Sequence, residues 1–127
     1  MALIEYDEYK QRLRDLGPEL EKLSAALDMD SARAEARKLE HETAQDGFWN
    51  DLERSQKVQQ RLKQLQNKIA RQDKLVTEWQ DLTALCEMGQ EAEDEELLEE
   101  LKSGFQTLEE KIEESRMATL LSGEYDG

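Results

Sequence analysis

The spacing of apolar residues constrains this chain more than any other feature. Tyr6, Tyr9, Leu13, Leu16, Leu20, Leu23 and Leu27 follow one another at steps of three and four. A half-buried strand alternates every second residue, whereas these steps put all seven side chains on one face of a helix. The rhythm returns in Val58, Leu62, Leu65, Ile69, Gln72, Val76, Trp79, Leu82 or Thr83, and Cys86. It returns again in Leu98, Leu101, Phe105, Leu108 and Ile112, with Leu120 and Leu121 near the end. No segment alternates with period two, so the chain reads as all-α.

Local signals divide it into four helices at about 3–27, 31–44, 51–88 and 92–121. Gly17-Pro18 breaks the first in composition but not in phase. A proline inside a helix costs roughly 3 kcal/mol, so one kinked helix is expected, with a cap at Gly17 and a fresh start at Pro18 as the alternative. Asp28-Met29-Asp30-Ser31 offers capping side chains for the second helix. Its thin stripe of Ala32, Ala36 and Leu39 suits close approach to a neighbour. Asn50-Asp51-Leu52-Glu53 reads as a capping box, with the Asn50 side chain on the N–H of residue 53 and Glu53 reaching back to Asn50. Gln72 is a polar interruption of the kind that fixes register. Gly89 is expected to end the third helix as its C-cap, and Gly104 to let another backbone come close.

Charge separates the helices. Residues 54–74 hold seven Lys and Arg against Asp73 alone, while residues 91–114 are rich in Glu against Lys102 and Lys111. A short connection at Gly89 makes the third and fourth helices antiparallel neighbours, with opposite charges selecting partner and register. Exposed pairs contribute about 0–1 kcal/mol each, so burial of Leu, Ile and Phe, at about 1.5–3 kcal/mol apiece, must hold the hairpin. The expected architecture is an elongated helical bundle built on an antiparallel coiled-coil hairpin of residues 51–88 and 92–121. The first helix packs along it and the second closes the side.

Composition excludes several functions. The 127 residues carry 31 Asp and Glu against 17 Lys and Arg, a charge of 17 − 31 = −14. Such a chain repels phosphate, so DNA and general nucleic-acid binding are not expected. No run of about 18 apolar residues is present, so no membrane span is expected, and Met1–Asp7 lacks the pattern of a secretory signal. With a single cysteine, Cys86, no internal disulfide forms, and a reduced, cytoplasmic protein is expected. His41 is also single, so a Cys–His nucleophile or multi-histidine metal site would need lone residues to converge. No calcium-ligand spacing occurs in the Glu-rich run. Catalysis, metal and cofactor are therefore not expected. His41 reads as exposed, and Trp79 and Cys86 as core.

Two segments are more specific than a coiled coil requires: Phe48-Trp49-Asn50-Asp51, and Leu121-Ser122-Gly123-Glu124-Tyr125-Asp126 with Leu120 before it. With Leu27-Asp28-Met29-Asp30 and Asp94-Glu95-Glu96-Leu97-Leu98, their order and spacing resemble the N-terminal domain of the bacterial release factor 2 family, among the class I peptide chain release factors. The resemblance covers essentially the whole chain. Two departures stand out. Gln45-Asp46-Gly47 precedes the Phe-Trp pair where the family often has Asp-Pro, and Leu23-Ser24-Ala25 replaces a frequent Leu-Arg-Gly. The resemblance implies a module in translation termination at stop codons (UGA and UAA in the family). It implies as partner the ribosome, through stalk-base proteins and ribosomal RNA, in the context of the full-length factor. The family decodes with Ser-Pro-Phe and hydrolyses peptidyl-tRNA with Gly-Gly-Gln; neither tripeptide occurs in these 127 residues.

The stripe Arg54, Lys57, Arg61, Lys68 and Arg71 then has two readings: pairing with the acidic fourth helix or simple solvation, and contact with ribosomal RNA or a stalk protein. Phe48 and Trp49 read as a plug over the end of the core or as an exposed partner anchor. Residues 122–127 read as a linker into a missing decoding and catalytic region, the chain being a domain cut at its linker or a truncated product, with Gly127 native or a remnant. Seam residues near the start, such as Leu3 and Ile4, offer self-association. The rival function is a free-standing coiled-coil scaffold or chaperone-like adaptor.

Overall fold

The computed structural model describes residues 2–122, with side chains to residue 121. Four helices account for nearly all of them: α1 (Ala2–Ala26), α2 (Met29–Thr43), α3 (Leu52–Ala92) and α4 (Glu95–Ser122), with one 3-10 turn at Phe48–Asn50. No strand occurs among the described residues, and the all-α expectation holds. The expected linker falls mostly on residues 123–127, outside those described.

The chain divides into two compact units. The first contains α1, the part of α3 from Lys74 on, and α4. The second runs from Asp28 to Asp73 and contains α2, the 3-10 turn and the first part of α3.

In the first unit α1 and α4 run in the same direction. Glu5 pairs with Lys102, and one turn on Tyr9 meets Phe105 edge to face at 5.4 Å. The Arg12 guanidinium lies over both rings, 5.0 and 5.1 Å from their centres. The third helix runs against them. Trp79 donates its indole N–H to the Leu13 carbonyl at 2.6 Å, and the Cys86 thiol points at the Tyr6 carbonyl at 3.6 Å. Glu78 pairs with Lys111 at 2.9 Å. The core holds Tyr6, Leu13, Leu20, Leu23, Leu101, Phe105 and Leu108, every one on the predicted faces. Proline 18 lies within the single helix α1, as the uninterrupted phase implied.

In the second unit α2 lies antiparallel to α3 along a narrow seam. Ala32 and Ala36 pack with Leu65, flanked by Leu39, Leu62 and Ile69. Alanines bury little area, so they hold the helices close rather than tightly. Polar rows border the seam on both sides. Arg61 grips Glu35 through two hydrogen bonds of 2.8 Å and Arg54 reaches Glu42 at 3.1 Å. Across the seam Arg33 pairs with Asp73, and Gln66 lies 3.4 Å from Glu40.

Several expected boundaries are corrected. Helix α2 starts two residues before the expected 31. Asp28 precedes it with a left-handed backbone, φ 53°, and makes no side-chain cap. The short side chain makes aspartate tolerable in this region. The capping box at Asn50 does not form. The Asn50 N–H donates to the Gly47 carbonyl instead, and Asp51 caps α3 through its carboxylate on the Arg54 N–H at 3.1 Å. Gly89 is no C-cap. Helix α3 runs through it to Ala92, and the left-handed residue is Glu93, φ 51°. Asp94 then caps α4, its carboxylate accepting from the N–H groups of Glu96 and Leu97.

The α3 seam also differs at one place. Leu75 is buried where Val76 was expected, and Val76 is only half-buried. From Ser55 to Gln72 the inward positions step by three and four; Leu75 comes three after Gln72, and the alternation resumes through Trp79, Leu82, Cys86 and Gly89. That slip of one residue falls where α3 passes from one unit to the other.

Candidate functional site

The distinctive Phe-Trp-Asn-Asp segment forms the turn that delivers the chain into α3 in the second unit. Gly47, at φ 82°, supplies the left-handed residue that reverses the chain after α2. Phe48 is buried, and its ring meets that of Trp49 edge to face at 4.9 Å. Trp49 itself is 58% exposed, so only Phe48 fits the expected plug. Leu52, at the first position of α3, is also exposed, an apolar residue outside every seam read from the sequence. Its signal was available: Leu52 falls outside the phase that buries Ser55 and Leu65. Asn50 and Asp51 are exposed, the latter used as the helix cap.

All five basic residues proposed as a stripe lie in the second unit. Arg54 and Arg61 bond to Glu42 and Glu35 of α2. Lys57 lies 3.5 Å from Glu53 on its own helix, both strongly exposed. Arg71 is exposed and Lys68 half-buried. Within the first unit Leu82 faces Gly104 and Glu78 faces Lys111, so this part of α3 and α4 run antiparallel. Arg61 holds the Glu35 carboxyl below the ordinary range by its hydrogen bonds. The stripe is thus partly a structural device for docking α2.

No group of three or more His, Cys, Asp or Glu among the described residues is placed to hold a metal ion. Cys86 is buried, and burial pushes its thiol above its usual pKa, which keeps it protonated and inert. His41 is exposed, with its Nε2 2.8 Å from the Gln45 amide nitrogen. None of the described helices is long and apolar enough to cross a membrane. Leu121, in the last turn of α4, has its side chain in solvent, and the helix runs to Ser122. Gly123, Glu124, Tyr125 and Asp126 lie outside the described residues.

Comparison with known proteins agrees along the chain. The family model described as the PCRF domain matches residues 32–127. Peptide chain release factor 2 of Streptomyces avermitilis is 33% identical over 126 residues, covering 99% of this chain and 33% of its own length. The same-named protein of Acidothermus cellulolyticus is 36% identical over 116 residues, 91% of this chain and 31% of its own. That of Clostridium perfringens strain SM101 is 32% identical over 124 residues, 98% of this chain and 34% of its own. The chain spans about a third of the length of the curated relatives it matches. With a family match over more than half its residues, this chain belongs to the PCRF domain family.

Proposed function

We propose that this chain serves as the helical N-terminal domain of a peptide chain release factor 2, docking the factor on the ribosome during translation termination in the cytoplasm. One observation carries the reading: proteins named peptide chain release factor 2 align with nine-tenths or more of it at 30–36% identity. On this reading stop-codon recognition at UGA and UAA and peptidyl-tRNA hydrolysis belong to sequence outside these 127 residues. The scaffold alternative has no comparable support from the relatives.

The exposed face of the second unit is the ribosome-facing candidate, with Trp49, Lys57 and Arg71 available to solvent. Stalk-base proteins and ribosomal RNA are the partners in view. The test is a chimera: this chain replaces the corresponding third of the Clostridium perfringens factor, and peptide release is measured at UGA and UAA. Retained release supports the reading; a folded chimera that no longer releases peptide refutes it. Within an active chimera, Lys57→Glu with Arg71→Glu is expected to weaken ribosome association with unchanged helicity. Arg61 is left intact, because reversing it would also unseat α2.

A further inference from the structure

Beyond the Tyr9–Phe105 contact, α1 and α4 of the first unit leave an open groove of about 830 Å³. Leu16, Leu23 and Ala26 line it from α1, and Ile112 and Leu120 from α4. Thr119 also lines it, but its hydroxyl already donates to the Ser115 carbonyl. The rim is acidic. Of its cations, Lys22 is held by Glu19 at 3.3 Å and Arg116 by Glu113 at 2.5 Å. Glu109 and Glu110 also stand on the rim, with no ion pair among the described residues.

We propose that this groove receives a basic amphipathic helix of a partner protein. The lining runs eleven residues along α1, from Leu16 to Ala26, which at about 1.5 Å per residue matches roughly three turns of a docked helix. Apolar side chains at i, i+3, i+4 and i+7 would lie on the leucines, with Lys or Arg along the edge facing Glu109 and Glu110. The second unit shows the same chemistry satisfied: an apolar seam between α2 and α3, bordered by Glu35 with Arg61 and Glu42 with Arg54. Charge selects the occupant. A second copy of this chain brings −14 to a chain already at −14, and a nucleic acid would meet the same repulsion. A small ligand would find no convergent polar groups on the lining to orient it.

The test uses the whole chain and a fluorescein-labelled helical peptide of about fourteen residues, Leu on one face and Lys on its flanks, read by fluorescence anisotropy. Three controls accompany it: the same composition scrambled, a Glu-for-Lys version, and the chain with Leu3→Glu, away from the groove. The patterned peptide is expected to bind, and Leu120→Glu, at a position already 57% exposed, to weaken it by about tenfold. Glu109→Lys with Glu110→Lys should do the same, with helicity unchanged and Leu3→Glu without effect. Scrambled and acidic peptides should bind at least about tenfold more weakly. Equal binding of the scrambled peptide, or indifference to Leu120→Glu, overturns the proposal. So does a dimer in sedimentation that Leu120→Glu dissolves, which would make a second copy the occupant. A longer factor carrying this chain that no longer takes the peptide would assign the groove to its own following segment, and that too overturns it.

Discussion

Gly89→Ala should destabilise the first unit, although alanine is the better helix former. In a helix interior the replacement gains about 1 kcal/mol in propensity. Here the added Cβ would press on the Tyr6 hydroxyl and lie 2.6 Å from Cζ and 2.7 Å from Cε1 of its ring. Carbon contacts settle at about 3.5–4 Å, so the ring must retreat by roughly 1 Å. It has nowhere to go, because Tyr6 is 0% exposed and its hydroxyl donates to the Asp94 carbonyl at 2.5 Å. Overpacking costs about 1–3 kcal/mol, and a buried hydrogen bond lost in the retreat about 1–3 kcal/mol more. The net destabilisation is about 1–5 kcal/mol, and its midpoint of about 3 kcal/mol lowers Tm by roughly 10 °C for a chain of this size.

Gly104→Ala is the comparison. Its Cβ meets only the terminal Cδ2 of Leu82 at 2.6 Å, with Cγ at an ordinary 3.7 Å, and a leucine end can turn aside. That variant should stay within about 1 kcal/mol of the parent. Urea unfolding followed by helicity and by Trp79 fluorescence in a Trp49→Phe background measures both, with unchanged slopes confirming that only stability moved. A Tyr6→Leu background should abolish the Gly89→Ala penalty. A Gly89→Ala chain as stable as the parent, or more so, refutes the reasoning.

Three further outcomes follow from the geometry. Asp51→Ala should cost about 1 kcal/mol of α3 stability and Asn50→Ala almost nothing, the reverse of what the capping-box reading implies; thermal unfolding of the two single variants decides. Burial, then Asp94 and Cys86, raise the Tyr6 pKa above 10.0, so its contribution is complete below pH 10 and disappears as pH climbs through the raised value; Tyr6→Phe should flatten that alkaline loss in a pH series of urea midpoints. Arg61 lowers the Glu35 pKa from 4.5, so the α2–α3 contact keeps this contribution above that pH and loses it as acid protonates Glu35; Glu35→Gln should remove the acid-side dependence in hydrogen exchange of α2 amides.

Helix number, type and inward faces were legible because burial repeats with the helical period, and repeats survive local noise. Even Pro18 was readable as internal, since the phase of Leu16 and Leu20 carries through it. What failed were single-residue punctuation marks with two uses. Gly89 can end a helix or make room for a ring, and its place three residues after Cys86 in the seam was the better clue. Asn50 and Asp51 are both competent caps, and only the 3-10 turn anchored by Gly47 decides between them. The basic stripe was visible, but the pairing of Arg54 with Glu42 and of Arg61 with Glu35 was not, because a charge tally does not say which carboxylates lie alongside. Trp49 and Phe48 look alike in sequence, and only the turn points one inward and the other out.

The slip at Gln72 has a practical consequence for anyone redesigning α3. A heptad ruler laid from Leu65 and extended past that residue assigns inward roles to the wrong side chains, starting with Val76 in place of Leu75. Substitutions in the long helix have to be lettered in two separate frames, one on either side of Gln72, and a consensus averaged across both would blur each.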